Sequence, residues 1–397
     1  MNDGKSGSKL SLNPASSGST VLPSGSESLE HDLDFGSLLA YGVPSSASST
    51  PPRVKAVRLN VYTLTEMLET SESPLTLPYW SRVNRIIFQG MGISAAGQLD
   101  LYPKVSTSVL NSPVTYLEML RELRRRFGIQ LYIGMPLVYA VENLTNNHQT
   151  VYDLIRSDSQ SFFNNLAALV QHYQFDGIEL NLEGVDYIPH TLCDDLLAFP
   201  YRHKLMLTFK NNDAFINHHG LILKRISELV ECLVINAYGY FKYNPLNNKL
   251  LPKCDCSVKD WLQSFEAYES YEIPTTKLMI AIESTAVLYF LDSENFNEVE
   301  SISFTPLRVV EQLRRDGEVD GELSHDYTEH LDREKNGSIL VCRSRGVIAS
   351  YDNMRMKAMK FRLCRDKELY GCILGNPRED VSIYDESNLI NLMDKYI

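Results

Sequence analysis

Phe175-Asp-Gly-Ile-Glu179-Leu-Asn181-Leu-Glu183 is the stretch on which the fold turns. In an extended strand, alternate side chains share a face. Glu179, Asn181 and Glu183 therefore point one way, and Leu180 and Leu182 the other. Three polar groups in a row are costly to bury unless they bond each other or a ligand. A strand with this pattern fits the wall of a parallel barrel, its leucines against outer helices and its polar face inward. Glu183 then stands at the C-terminal strand end, where barrel enzymes keep their active sites.

Short apolar runs recur on both sides of this stretch. They are VRLNVYTL from Val57, VNRIIFQG from Val83, IQLYIGMP from Ile129, KLMLTF from Lys204, CLVINAY from Cys232, KLMIAIE from Lys277 and YGCILG from Tyr370. Each is rich in Val, Ile, Leu, Tyr and Phe, as strands buried on both faces are. Helical patterns lie between them. In SPVTYLEMLRELRRRFG, Leu117, Leu120, Leu123 and Phe127 form an apolar stripe, Arg124 to Arg126 extend into solvent and Gly128 closes the helix. QSFFNNLAALVQHY, ahead of Phe175, is a second case. Strand and helix in alternation imply parallel pairing with right-handed crossovers, and eight strands fit an α/β fold, the (β/α)8 TIM barrel. The gap between Glu283 and Tyr370 is too long for one crossover helix. It reads as a small α+β insertion over about 286–350, with a helix around Arg308 to Arg315, followed by the last barrel helix from Asn353 to Lys367.

The chain has 397 residues, of which 44% are hydrophobic, ample for a large core. At roughly 150 residues per domain, length alone allows two or three domains, but large barrels break that rule. Residues 1–52 carry a run of serines with Gly and Pro and no periodic apolar pattern, so they read as a disordered Ser-rich tail, leaving 53–397 for the barrel. With 38 basic against 50 acidic residues, the net charge of −12 disfavours nucleic acid, which needs clustered Lys and Arg. No stretch approaches the roughly 18 apolar residues of a membrane span. MNDGKSGSKLSLNPASSGST has no apolar run after a basic start and does not read as a secretory signal, which points to the cytoplasm. Seven cysteines, of which only Cys254 and Cys256 lie close together, make neither a zinc site nor a disulfide framework. A monomer without metal or other cofactor is expected.

A carboxyl stacked above polar groups in a partly closed cavity is expected to titrate above the usual carboxylate range, which suits Glu183 to protonate a leaving-group oxygen. The alternative is structural: a polar plug filling the barrel, or a glutamate held by an arginine from a neighbouring strand.

The run Asp176-Gly-Ile-Glu179-Leu-Asn181-Leu-Glu183 resembles the D-x-x-D-x-D-x-E signature on the fourth strand of glycoside hydrolase family 18, the chitinases and chitinase-like lectins. VRLNVYTL resembles that family's first strand, RIIFQGM its second, and VINAYGY its sixth-strand M-x-Y-D motif. SFEAYESYEIPTTKLMIAI, ASYDN and ELYGCILG continue the likeness to about Asp380. The resemblance implies retaining hydrolysis of β-linked N-acetylglucosamine polymers, with one enzymic acid and the substrate's own acetamido oxygen as nucleophile, the substrate-assisted exception to the two-carboxylate scheme. It gives Glu183 the role of acid and then base. Asn181 would orient the acetamido N–H, Glu179 would set charge beneath it, Asp176 would support, and Tyr238 would hold the acetamido carbonyl. Tyr62, Asn236 and Asn376 are candidate substrate contacts, with Tyr139, Tyr240 and Tyr243 on the same face.

The chain departs from the family at Asn181 and Gly239, both aspartate in the motif, at YIGM in the third strand, and at Gly375-Asn376, where a tryptophan floors the sugar site. Asn-x-Glu is the pair that the related endo-β-N-acetylglucosaminidases use. Trp80 and Trp261 read as packing residues. These features leave three readings: a hydrolase of N-acetylglucosamine oligosaccharides or glycans, a non-catalytic glycan-binding barrel, and an unrelated barrel enzyme acting on a small metabolite. The family's usual habitat is secreted, against the signal-free start.

Overall fold

The apolar runs become eight parallel strands closed into a ring. The structure is a computed structural model that describes residues 53–60, 63–64, 78–93, 99–101, 113–134, 147–182, 186–209, 211–236, 257–282, 284–291, 299–319, 322–323, 326–332, 337–375, 377, 380, 385–386 and 388–397. The serine-rich segment lies outside them. In chain order the barrel strands are β1 (Val54–Asn60), β2 (Arg85–Gln89), β5 (Gln130–Gly134), β6 (Gly177–Leu182), β7 (Leu205–Phe209), β8 (Cys232–Asn236), β9 (Leu278–Ile282) and β17 (Gly371–Leu374). A two-stranded hairpin, β3 (Met91–Ile93) with β4 (Leu99–Leu101), follows β2. Closure is by β1 against β17, with Val54 opposite Gly371. β1 starts three residues before the predicted run, since Val54-Lys55-Ala56 joins the ladder despite its lysine.

Alternation sorts the core into two shells. Ala56, Ile87, Tyr132, Met206, Cys232, Val234, Met279, Ala281 and Ile373 pack inside the ring. Val57, Leu59, Ile86, Leu131, Ile133, Leu180 and Leu182 face the helices. Those helices are α1 (Pro113–Phe127), α2 (Asn147–Tyr173), α3 (Leu192–Ala198), α4 (Asp213–Leu229), α5 (Val258–Glu269) and α7 (Met354–Asp366). On α1, Leu117, Leu120 and Leu123 are buried as the stripe predicts, but Phe127 is 37% exposed, and Tyr116 and Met119 take its place. α2 is kinked at Asp158, whose carboxylate accepts the Ser161 N–H at 3.0 Å. The sequence pattern from Gln160 is the part after this internal cap. Trp80 and Trp261 are both fully buried.

The N-terminal end of the barrel is plugged by a charged cluster. Arg85 donates to Glu231 Oε1 at 2.8 Å and to Gln130 at 2.8 Å, with its guanidinium 4.0 Å from the centroid of Tyr132. Tyr132 and Tyr370 donate their hydroxyls to the same glutamate, at 2.7 and 2.5 Å. Gly177 makes room, since a Cβ there would sit 2.3 Å from the Tyr132 ring. Burial, and then the adjoining carboxylate, push both phenols above the ordinary tyrosine range. A folded-state value raised in this way contributes stability that is whole below the unfolded value of about 10 and is lost as pH rises beyond it. The urea midpoint is therefore expected to fall from about pH 10 upward. The double variant Y132F/Y370F is expected to fall less steeply over that range. Parallel pH curves for variant and parent would refute the assignment.

Between β9 and β17 the chain builds the lobe. Five antiparallel strands stand in the order β11 (Val299–Pro306), β10 (Thr285–Leu291), β16 (Val347–Tyr351), β15 (Gly337–Cys342) and β14 (Tyr327–Asp332). A minor ribbon pairs β12 (Glu318–Val319) with β13 (Glu322–Leu323). Helix α6 (Leu307–Asp316) packs Leu307 and Val310 on Leu340, Ala349 and Tyr351. The lobe is tied to the barrel by Lys357 of α7, fully buried, which lies 3.5 Å from Asp380 and 4.0 Å from Glu311 of α6. The last helix, α8 (Leu389–Tyr396), returns to the start of the barrel, where Asp394 pairs with Lys55 at 2.8 Å.

Candidate active site

β6 is buried along its whole length, and its alternation places Glu179 and Asn181 inside the ring, 1% and 2% exposed. The charge beneath the mouth is balanced by Arg58 of β1, itself 2% exposed. Its Nη2 donates to Glu179 Oε1 at 2.6 Å, and its Nε lies 3.1 Å from Oε1 and 3.3 Å from Oε2. The arginine comes from across the barrel, with β2 and β5 between the two strands on the shorter way round the ring. Gly134 of β5 gives the carboxylate space, since a Cβ there would lie 3.1 Å from Oε2. The same guanidinium reaches Asn236 Oδ1 at 3.5 Å, at the end of β8. Thus Arg58 joins two of the residues singled out from sequence, Glu179 and Asn236, into one buried group.

Asn181 stands one pleat nearer the strand end on the same face, in register with Thr208 of β7. Gln89 ends β2. Thr208 Oγ1 and Gln89 Nε2 are buried with no hydrogen-bond partner among the described residues. The described part of this C-terminal layer is thus amide- and hydroxyl-rich, with one ion pair at its base.

Asp176 is not part of this group. It precedes β6, at the opposite end of the strand, and its parity turns it outward. There its Oδ2 accepts the Leu131 N–H at 2.8 Å and pairs with Arg124. Arg124 is accordingly held to the barrel wall rather than extended into solvent. Glu183, Tyr238, Tyr62 and Asn376 lie outside the described residues, as do Tyr139, Gly239, Tyr240 and Tyr243.

Arg58, Gln89 and Thr208 were not singled out from sequence, although Arg58 stands in VRLNVYTL with inward parity between two leucine-like positions, Val57 and Leu59. A cation at an inward position in the middle of a largely apolar strand is the signal that points to it. A separate cavity of about 720 Å³ is lined by Leu99, Asp100 and residues of α2 that include His172 and Tyr173, so it belongs to the barrel's flank, not to the strand ends. Among the described residues, no group of three or more His, Cys, Asp and Glu could hold a metal ion, and no helix is long and apolar enough to cross a membrane.

No protein-family model matches the chain, and no curated protein matches it in sequence. Solved structures do match in shape. A GH18 chitinase from Cycas revoluta, in complex with (GlcNAc)3, superposes with a TM-score of 0.63 at 14% identity, covering 86% of this chain and 99% of that one. A class V chitinase from Nicotiana tobaccum, in complex with NAG4, gives 0.64 at 10% identity, with 87% and 99% covered. A chitinase from Chromobacterium violaceum gives 0.60 at 14% identity, with 87% and 100% covered. At such identities the likeness is one of fold: the chain is a chitinase-like (β/α)8 barrel with an α+β lobe between its seventh and eighth strands.

Proposed function

We propose that the chain binds β-linked N-acetylglucosamine oligosaccharides at the C-terminal mouth of its barrel and hydrolyses them with Glu183 as general acid. The observation that carries this reading is the buried polar layer of Glu179, Asn181 and Asn236 at the strand ends of a chitinase-like barrel. The solved neighbours from Cycas revoluta and Nicotiana tobaccum hold N-acetylglucosamine oligomers, which supports the ligand class.

In this reading Glu183 protonates the glycosidic oxygen as the C1–O bond breaks, and the substrate's acetamido oxygen bonds to C1 in its place. The Glu183 carboxylate then takes a proton from the water that attacks C1, and the acetamido group is restored. Asn181 would hold the acetamido N–H and Tyr238 its oxygen, keeping the nucleophile in line. Asparagine orients but adds no negative charge to offset the cationic intermediate, and the charge of Glu179 is already matched by Arg58. Slow turnover is therefore expected. The same ion pair favours a second reading, glycan binding without turnover. The Asn-x-Glu pair also fits release of glycans from glycoproteins by an endo-β-N-acetylglucosaminidase-like reaction.

The test is hydrolysis of a chromogenic tri-N-acetylchitotrioside, run beside thermal unfolding with and without tri-N-acetylchitotriose and a glycan-release assay on a glycoprotein. Hydrolysis with a raised melting temperature is the expected result. A raised melting temperature without any cleavage would establish the binding reading. With no cleavage and no shift, the proposal fails.

A further inference from the structure

Two polar groups buried at the C-terminal end of the barrel find no hydrogen-bond partner among the described residues. They are Oγ1 of Thr208 in β7, a residue 0% exposed, and Nε2 of Gln89 in β2, 8% exposed. An unpaired buried polar group costs stability, so two at one end of a barrel call for a use. Both side chains turn into the ring. Ile87 and Met206, two residues earlier on the same strands, pack inside it, whereas Phe88 and Phe209 pack outside. Gln89 is the last residue of β2, and Thr208 the last but one of β7. Their neighbours account for the missing partners. Gln89 stands between Asn60 of β1 and Gly134 of β5. Asn60 Oδ1 already accepts the N–H and the hydroxyl of Thr63, at 2.8 and 3.0 Å, and glycine has no side chain to offer. Glu179, opposite Gly134, has both oxygens engaged by Arg58. Thr208 stands between Asn181 of β6 and Val234 of β8; the valine is apolar, and no bond from Thr208 to Asn181 forms.

We propose that Thr208 and Gln89 are ligand-binding residues, which take their hydrogen-bond partners from the oligosaccharide that enters the mouth. This rests on the reading of the mouth as an N-acetylglucosamine site. The Gln89 amide nitrogen only donates, so it meets an oxygen of the sugar, either a ring hydroxyl or the acetamido carbonyl. The Thr208 hydroxyl donates or accepts, and it does so beside Asn181, its partner in register. β5 and β6 lie between the strands that carry the two residues. The pair therefore approaches a ligand from separate parts of the wall and fixes its orientation, which one contact alone does not. The ligand class is also constrained by charge. Arg58 and Glu179 neutralise each other at the base of this layer, so the groups above them suit an uncharged, oxygen-rich molecule. A purely apolar ligand would bury both groups unpaired and is disfavoured for that reason.

The test pairs two measurements on T208V, T208S and Q89M: calorimetric titration with tri-N-acetylchitotriose, and urea denaturation without sugar. Valine keeps the branched shape of threonine without its hydroxyl, and methionine keeps the length of glutamine without its amide. T208V and Q89M are each expected to weaken binding by about three- to tenfold, the worth of one hydrogen bond to a ligand. Serine restores the hydroxyl, so T208S should recover most of the affinity that T208V loses. The urea midpoints of T208V and Q89M should hold or rise, because each removes a buried polar group that has no partner in the fold. A merely structural role predicts the opposite pattern, a lower midpoint with binding unchanged. Each residue is judged by its own variant. If the parent binds and a variant binds equally well, the assignment of that residue is overturned and the sugar site stands. A midpoint that falls also overturns it, since the group would then be holding the fold together through an internal water. A parent that takes up no sugar overturns the sugar reading, and this assignment with it.

Discussion

Replacing Arg58 with methionine is expected to destabilise the barrel by about 3–5 kcal/mol, the cost of removing one partner from a buried ion pair. Glu179 is 1% exposed and takes its guanidinium contacts at 2.6 to 3.3 Å, so its carboxylate would stay in the barrel without a cation. The thioether is of similar length but supplies no donor. The double variant R58M/E179M should recover most of the loss, because replacing a whole buried pair by apolar groups is often neutral or better. Urea denaturation of the two single variants and the double variant gives the coupling. If R58M unfolds at the same midpoint as its parent, the pair contributes nothing. Salt is expected to have little effect on the difference, since the pair is shielded from mobile ions.

Glu183→Gln is expected to lower chitotrioside hydrolysis by about 10²- to 10⁴-fold, the usual worth of a positioned general acid or base. Glutamine has nearly the shape of the acid but can neither deliver the proton nor take one from water. The loss should fall on kcat, with tri-N-acetylchitotriose still raising the melting temperature, because the sugar contacts proposed for Asn181, Tyr238 and Asn236 remain. Residual activity equal to wild type would show that another group delivers the proton. The combination of lost turnover and kept binding separates this outcome from simple misfolding, which would remove both.

All eight barrel strands can be read in the sequence, for a physical reason. A parallel strand is covered on both faces, so its apolar residues run together and stand out from the amphipathic helices between them. The lobe is legible as an α+β insertion with its helix near Arg308 to Arg315, found at Leu307–Asp316, but its strand order is not. VESISFTP and YTEHLD mix exposed and half-buried positions on short antiparallel strands, and their partners are fixed by tertiary pairing that no local pattern reveals. In the site, parity alone turns Glu179 and Asn181 inward, as found. The same rule turns Asp176 outward, yet motif resemblance places it with the site; the residue is a tie between β6 and α1. An arginine partner for a buried glutamate is foreseeable, but its source is not. Arg58 and Glu179 are brought face to face only by closure of the ring, which no stretch of sequence encodes by itself.

That closure also sets the order in which the molecule can be made. The first barrel strand pairs with Gly371, more than 300 residues downstream, so closure must wait until all of those residues are synthesised. At about 5–20 residues per second, the wait is on the order of 15–60 s, during which a seven-stranded open sheet would expose two unpaired edges. The lobe, built from neighbouring hairpins, has no such delay once its own residues emerge. The nascent chain is thus expected to depend on holding factors until Tyr370–Leu374 is released, and loss of those last strand residues to yield aggregates rather than a shortened barrel.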